Sequence, residues 1–228
     1  MCSTNAEIKT LHQDCKSQGD ENNREARSWE AEKEFTAMQG LLKLFSICFR
    51  YPDDKVYEVL QQNRHILQSL AEEQGDGDFR LPGQQELEAE FVALFVNNKG
   101  FVPVVPYASY YLEENGLLFG PKVKELSRMM QDVGLEIKDD ITEPPDHIYL
   151  LLELCAEIAG VLASDKDYQK CACFLVIQNL LCEYLSPMLE GFVQAISNHA
   201  GLRFYQLMGR SLQDYITFQA NLYQEIPG

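Results

Sequence analysis

EPPDHIYLLLELCAEIAGVL, residues 143–162, decides the fold class. Two prolines turn the backbone through a rigid corner, an acid and an imidazole follow at once, and an apolar run then begins. Within that run Ile148, Leu151, Leu152, Cys155, Ile158 and Leu162 recur at helical spacing. The local rules make the corner a helix start. Pro144 biases Glu143 toward extended backbone, Pro145 suits the first helical turn, where its missing N–H is not needed, and Asp146 sits favourably in that turn at the positive end of the helix dipole. Capping alone requires neither His147 nor a second proline. The alternative reading is a recognition site, in which Glu143 and Asp146 engage a cationic group by charge-assisted hydrogen bonds and His147 adds a donor that switches near neutral pH.

Working outward, helical periodicity persists along most of the chain. Met38, Leu41, Leu42, Phe45 and Phe49 form one stripe, ended by Pro52. Asp53 and Asp54 suit the start of the next helix, whose stripe is Val56, Val59, Leu60, Leu67 and Leu70. Residues 74–83 read as a loop. Leu87, Phe91, Leu94 and Phe95 give another face, and Val123, Leu126, Met130 and Val133 a further one, with Gly134 at its C′ position. Ser164-x-x-Asp167 resembles a capping box. A helix then runs to about Tyr184, Ser186-Pro187 starts the next, and Gly201 precedes a last one bearing Phe204, Leu207, Met208, Leu212, Tyr215 and Ile216. This predicts about eight or nine helices, no strand of useful length, and an all-α fold. Residues 97–120 break the pattern. Pro103 and Pro106 forbid a regular helix, and Phe101, Tyr107, Tyr110, Tyr111 and Phe119 crowd the segment. Such a long irregular stretch inside a compact domain points to a binding loop with an apolar wall, although aromatics packed beneath a loop give the same pattern.

The 228 residues are 46% hydrophobic, enough to bury a sizeable core. Lys and Arg number 19 against 35 Asp and Glu, a net charge of −16. That balance repels nucleic-acid phosphates and favours basic peptides or basic protein faces. Seven cysteines cannot all pair internally. Cys48, Cys155, Cys171 and Cys182 lie in apolar helical patterns, as reduced thiols in a cytosol would. Cys2 and Cys15 lie in the polar residues 1–30, read as a loose tail or frayed helix. That tail has no apolar run for a secretory signal. Leu150–Ala163, interrupted by Glu153 and Glu157, is too short for a bilayer. Cytoplasmic residence without membrane insertion is the expectation. No P-loop, HExxH or nucleophile signature is present, and the four histidines lie far apart in sequence. A helical metal-dependent hydrolase using Asp146 and His147 is a weak rival, because such enzymes use the order His-Asp with further histidines upstream.

These residues resemble the TorD/DmsD family of molybdoenzyme maturation chaperones, which includes the NarJ-type proteins. The family pattern E-P-x-D-H-I/L is Glu143-Pro144-Pro145-Asp146-His147-Ile148. Its P-Y-x-S-x-W/Y element is Pro106-Tyr107-Ala108-Ser109-Tyr110-Tyr111, with Tyr111 where tryptophan is common. Phe91-Val92-Ala93-Leu94-Phe95 precedes it, and Leu185-Ser186-Pro187 and Phe204-Tyr205 match the C-terminal half, without the tryptophan often found before that proline. The agreement runs from about residue 35 to the end, so residues 1–30 have no counterpart. The resemblance implies a helical globule of two unequal parts, 31–140 and 141–228, joined near the corner. It also implies a non-enzymic chaperone that binds the twin-arginine signal peptide and the apo form of a molybdopterin oxidoreductase, delaying export until the cofactor is inserted. A NarJ-type role on a non-exported subunit is the alternative. The residues carried over as peptide- or client-binding are Glu143, Pro144, Asp146, His147, Tyr107, Ser109, Tyr111 and Gly120. The resemblance further implies weak guanine-nucleotide binding, no obligatory cofactor or metal, and a monomer or domain-swapped dimer.

Overall fold

Helix α7, Ile148–Ser164, is buried on almost every side, as expected of a helix apolar all round. The computed structural model describes residues 8–10, 22–97, 100–165 and 172–224. Among these the order is β1 (Ile8–Thr10), α1 (Asn22–Cys48), α2 (Asp54–Gln62), α3 (Arg64–Glu73), α4 (Gln84–Phe91), α5 (Ala108–Leu112), α6 (Pro121–Asp132), β2 (Leu135–Ile137), α7, α8 (Ala172–Asn179), α9 (Ser186–His199) and α10 (Arg203–Gln224). The fold is all-α. Helix α1 lies along α7, and α10 packs against α9 and α3. One hydrophobic core runs through all of these, from Leu42 and Phe45 of α1 through Leu151 and Ile158 of α7 to Phe192 of α9 and Met208 of α10.

Local expectations hold at several boundaries. Asp53 is the N-cap of α2, its carboxylate accepting from Val56 N at 2.9 Å. Gly134, at φ +67°, follows the end of α6 in the left-handed conformation that glycine adopts without a Cβ penalty.

Two expectations are corrected, and others are refined. The strands that periodicity did not reveal are β1 and β2, each of three residues, paired antiparallel with Ile8 opposite Ile137. They are too short for a period-two pattern to show. Within the polar residues 1–30, α1 has already begun at Asn22, in line with the helical alternative for that stretch.

Ser186-Pro187 does not begin a separate helix. Residues 172–199 form one continuous helix, in which Leu180–Leu185 is a π-helical turn closed by Ser186 N bonding to Leu181 O. The wider turn absorbs a proline that cannot donate an i→i−4 bond. This helix holds the one window among the described residues long and apolar enough to cross a membrane. Half of that window is buried against the rest of the protein.

Lastly, the Pro-Pro corner is not the first turn of α7. His147 N bonds to Pro144 O at 3.0 Å, which makes Pro144–His147 a β-turn with Pro145 at its favoured second position. The helix starts one residue later, with His147 as N-cap. Asp167 and Cys171, and with them the capping-box reading, lie outside the described residues, as do Cys2 and Cys15.

Candidate functional site

Two segments far apart in sequence are stitched together at the N-terminus of α7. Ile148 N donates to Pro106 O at 2.8 Å and Ala108 N donates to Asp146 O at 2.9 Å. Tyr107 and His147 thereby face each other in an isolated antiparallel bridge. The prolines at 106, 144 and 145 set the approach by fixing φ. The E-P-x-D-H and P-Y-x-S elements form a single structural unit.

Within this unit the side chains divide sharply. Asp146 is only 1% exposed. One of its carboxylate oxygens, Oδ2, accepts from Ser109 N at 2.9 Å. It acts as a cap for α5, delivered across the chain. Ser109 is equally buried. His147 is 6% exposed, and its Nδ1 accepts from Tyr149 N at 3.3 Å. Its ring packs between Tyr107, with centroids 5.2 Å apart and edge-to-face, and Tyr149, at 4.6 Å. Burial lowers its pKa from 6.5 to about 3. The imidazole is therefore neutral at physiological pH, and its Nδ1 is an acceptor, not the switchable donor expected from the sequence. The expected pair of surface carboxylates is likewise reduced to one, since only Glu143 is half-buried. Glu143 Oε2 accepts from Tyr107 OH at 2.8 Å. Burial, reinforced by Glu143, raises the Tyr107 pKa and keeps the phenol protonated.

The remaining candidates are placed as follows. Tyr111 turns inward toward α9. Its ring meets Phe192 edge-to-face at 6.4 Å, and burial raises its pKa. Gly191 makes room for it, because a Cβ there would stand 2.7 Å from Tyr111 Cδ1. Pro144 supplies the turn acceptor described above. Gly120 is buried as the N-cap of α6. Having no side chain, it leaves the capping to Glu113, whose Oε1 accepts from Lys122 N at 2.7 Å. A Cβ on Gly120 would lie 2.8 Å from that same oxygen. Asp146, His147, Ser109 and Gly120 are thus buried, and Tyr111 is half-buried. Tyr107 and Glu143 are only half-buried here, and Glu136, Asp139 and Asp140, which precede Glu143 in the chain, are exposed.

The Glu113–Gly120 loop adds what the sequence reading left undivided. Leu117, Leu118 and Phe119 are all exposed, and the Phe119 ring stands 6.5 Å from Tyr107. Among the described residues Phe119 is the one non-glycine residue with positive φ, at +62°. A bulky side chain in that region costs about 1–2 kcal/mol. It occupies N′ of α6, where an apolar residue commonly staples onto N4. Here N4 is Lys124, so no such contact rewards the strain. The visible signal was Leu-Leu-Phe immediately before Gly-Pro, three apolar residues on a turn. Behind the corner Arg50 lies over the Tyr149 ring at 5.2 Å, continuing the aromatic chain from Phe119 through Tyr107 and His147.

Asp146 Oδ2 and His147 Nδ1 are engaged in backbone capping, while Asp146 Oδ1 is buried without a hydrogen-bond partner. No group of three or more His, Cys, Asp or Glu is gathered among the described residues. A polar cleft lined by Glu32, Thr36, Gln39, Gly160 and Asp165 lies at the opposite end of α7.

The fold and corner define an all-α scaffold with two distant segments bridged at the start of α7. A family model described as nitrate reductase delta subunit matches residues 56–194. The chaperone protein TorD of Shewanella loihica is 30% identical over 67% of this chain and 68% of its own length. The Tat proofreading chaperone DmsD of Salmonella typhimurium is 28% identical over 58% of this chain and 59% of its own. The fold is shared with an Archaeoglobus fulgidus protein described as a redox enzyme maturation protein, with a TM-score of 0.53 and 22% identity over 79% of this chain and 94% of that one. The chain belongs to the TorD/DmsD family of chaperones, the nitrate reductase delta subunit family.

Proposed function

We propose that this protein is a cytoplasmic, non-enzymic maturation chaperone that binds the twin-arginine signal peptide of a molybdopterin oxidoreductase. It holds the apoenzyme back from export until the cofactor is inserted. The observation that carries this reading is the juxtaposition of an acidic, hydrogen-bonded surface group with an exposed apolar loop: Tyr107–Glu143 stands beside Leu117–Phe119. A twin-arginine leader is basic and then apolar. Glu143, Asp139 and Asp140 complement the first part and the loop complements the second. The net charge of −16 steers the encounter. Asp146 and His147 contribute by holding the corner, not by touching the peptide.

The test is calorimetric titration with a synthetic peptide carrying two arginines followed by a leucine- and alanine-rich run. Glu143→Gln should weaken binding about tenfold, the worth of one charge-assisted hydrogen bond, and binding should fall with added salt. Equal affinity for the wild type and Glu143→Gln would remove Glu143 from the site. Failure to bind any leader from a co-encoded redox enzyme would overturn the reading. A second reading, assembly of a leaderless catalytic subunit, is favoured by the nitrate reductase delta subunit description of the matching family model. Capture of a leaderless client subunit with equal efficiency would select it.

A further inference from the structure

We infer that Phe119 is the specificity-determining residue of this surface, held out in a strained conformation to receive the apolar residues that follow the basic pair of the bound peptide. The inference rests on the peptide-binding role proposed above and assigns the apolar half of that recognition to one side chain.

Three observations converge on Phe119. First, it is 59% exposed, the equal of any large apolar residue in the described structure. Second, its φ of +62° is a conformation that glycine would adopt freely and phenylalanine resists. Third, the surroundings hold that conformation in place. Glu113 closes the loop onto Lys122 N, Gly120 leaves the space for its carboxylate, and Gly116, at φ +67°, packs its backbone against the Tyr110 ring. A loop selected for stability alone would place glycine or asparagine at 119. Phenylalanine there sacrifices stability and, apart from its contact with the Tyr107 ring, leaves most of its surface in solvent, where a partner can cover it. Its neighbours identify the chemistry. Tyr107 forms the near wall at 6.5 Å, and the Tyr107–Glu143 pair fixes an acidic group beside it. The occupant is therefore a peptide with a cationic group followed directly by large apolar side chains.

The experiment compares two synthetic peptides, one with two arginines followed by a leucine-rich run and one with that run replaced by serine and glycine. Each is titrated into the wild type and into Phe119→Asn, Phe119→Gly and Phe119→Leu variants of the full chain, with thermal unfolding measured alongside. Asparagine and glycine suit the left-handed conformation, so both variants should unfold at the same or a higher temperature than the wild type. Both should bind the leucine-rich peptide about tenfold more weakly, the effect of losing an apolar ring from the interface. Leucine should restore most of that affinity. The serine-glycine peptide should bind all four proteins alike. Wild-type affinity for the leucine-rich peptide in the Asn and Gly variants would overturn the inference while leaving the peptide-binding role intact. So would an equal loss for both peptides, which would mark a structural role for the ring. Absence of binding by the wild type would overturn the peptide-binding role, and with it this inference.

Discussion

The corner at 143–147 and the loop at 113–120 border the same surface and are built on opposite terms. At the corner, polar side chains are buried and satisfy backbone groups: Asp146 caps Ser109 N and His147 caps Tyr149 N. In the loop, apolar side chains are exposed and the backbone is strained to keep them so, with Phe119 at φ +62°. One region spends polar chemistry on rigidity; the other gives up stability for exposed apolar surface. A binding surface needs both, because a strained apolar loop recognises a partner only if a rigid neighbour holds its position.

The contrast can be broken most decisively at Asp146. Asp146→Leu removes the acceptor of a buried N–H, and urea unfolding should show a loss of about 2–3 kcal/mol. Leu118→Ser in the loop should change stability by less than about 0.5 kcal/mol. Similar losses at both sites would end the distinction. Next, Gly191→Ala drives a Cβ to 2.7 Å from Tyr111 and should cost about 2 kcal/mol by overpacking the seat of α5, read from the same unfolding curves.

The corner should also respond to pH where the loop does not. Above about pH 6.5 both folded and unfolded chains carry a neutral imidazole at 147. Below it the unfolded chain takes up a proton that the folded corner refuses until about pH 3. Stability therefore falls as pH falls through that window, with a limiting slope of about 1.4 kcal/mol per unit. His147→Asn keeps a capping acceptor and should flatten the slope between pH 6.5 and 5, measured as urea midpoints. An unchanged slope would show that the imidazole is not buried neutral. A smaller loss than at Asp146 or Gly191 is expected at Gly120→Ala, which pushes Glu113 off Lys122 N and should cost about 1 kcal/mol, read from urea unfolding.

Much of this architecture was legible residue by residue. The period of Ile148 to Leu162 announced α7, Asp53 announced the start of α2 and Gly134 the end of α6, because each signal acts within one or two helical turns. The grouping of Tyr107, Ser109, Glu143, Asp146 and His147 was legible through the motif resemblance. Their roles were not. Local rules read Pro145 and Asp146 as a helix's first turn, since Pro at N1 and an acid nearby are what such a turn prefers. The structure places them in a β-turn because the carbonyl of Pro106 claims Ile148 N and the backbone of residues 108 and 109 claims Asp146.

The sequence by itself determined an all-α chain, its main helices and the residues that would meet at the site, because helical periodicity and capping are short-range. Only the tertiary structure decided which of those residues face water. Burial depends on partners some 37 positions away in the chain, as Ser109 and Asp146 are, and no local pattern encodes it. That is how Asp146 and His147, two polar residues of the corner, came to be buried. It is also how Phe119, one aromatic among several in the sequence, became a side chain exposed to solvent.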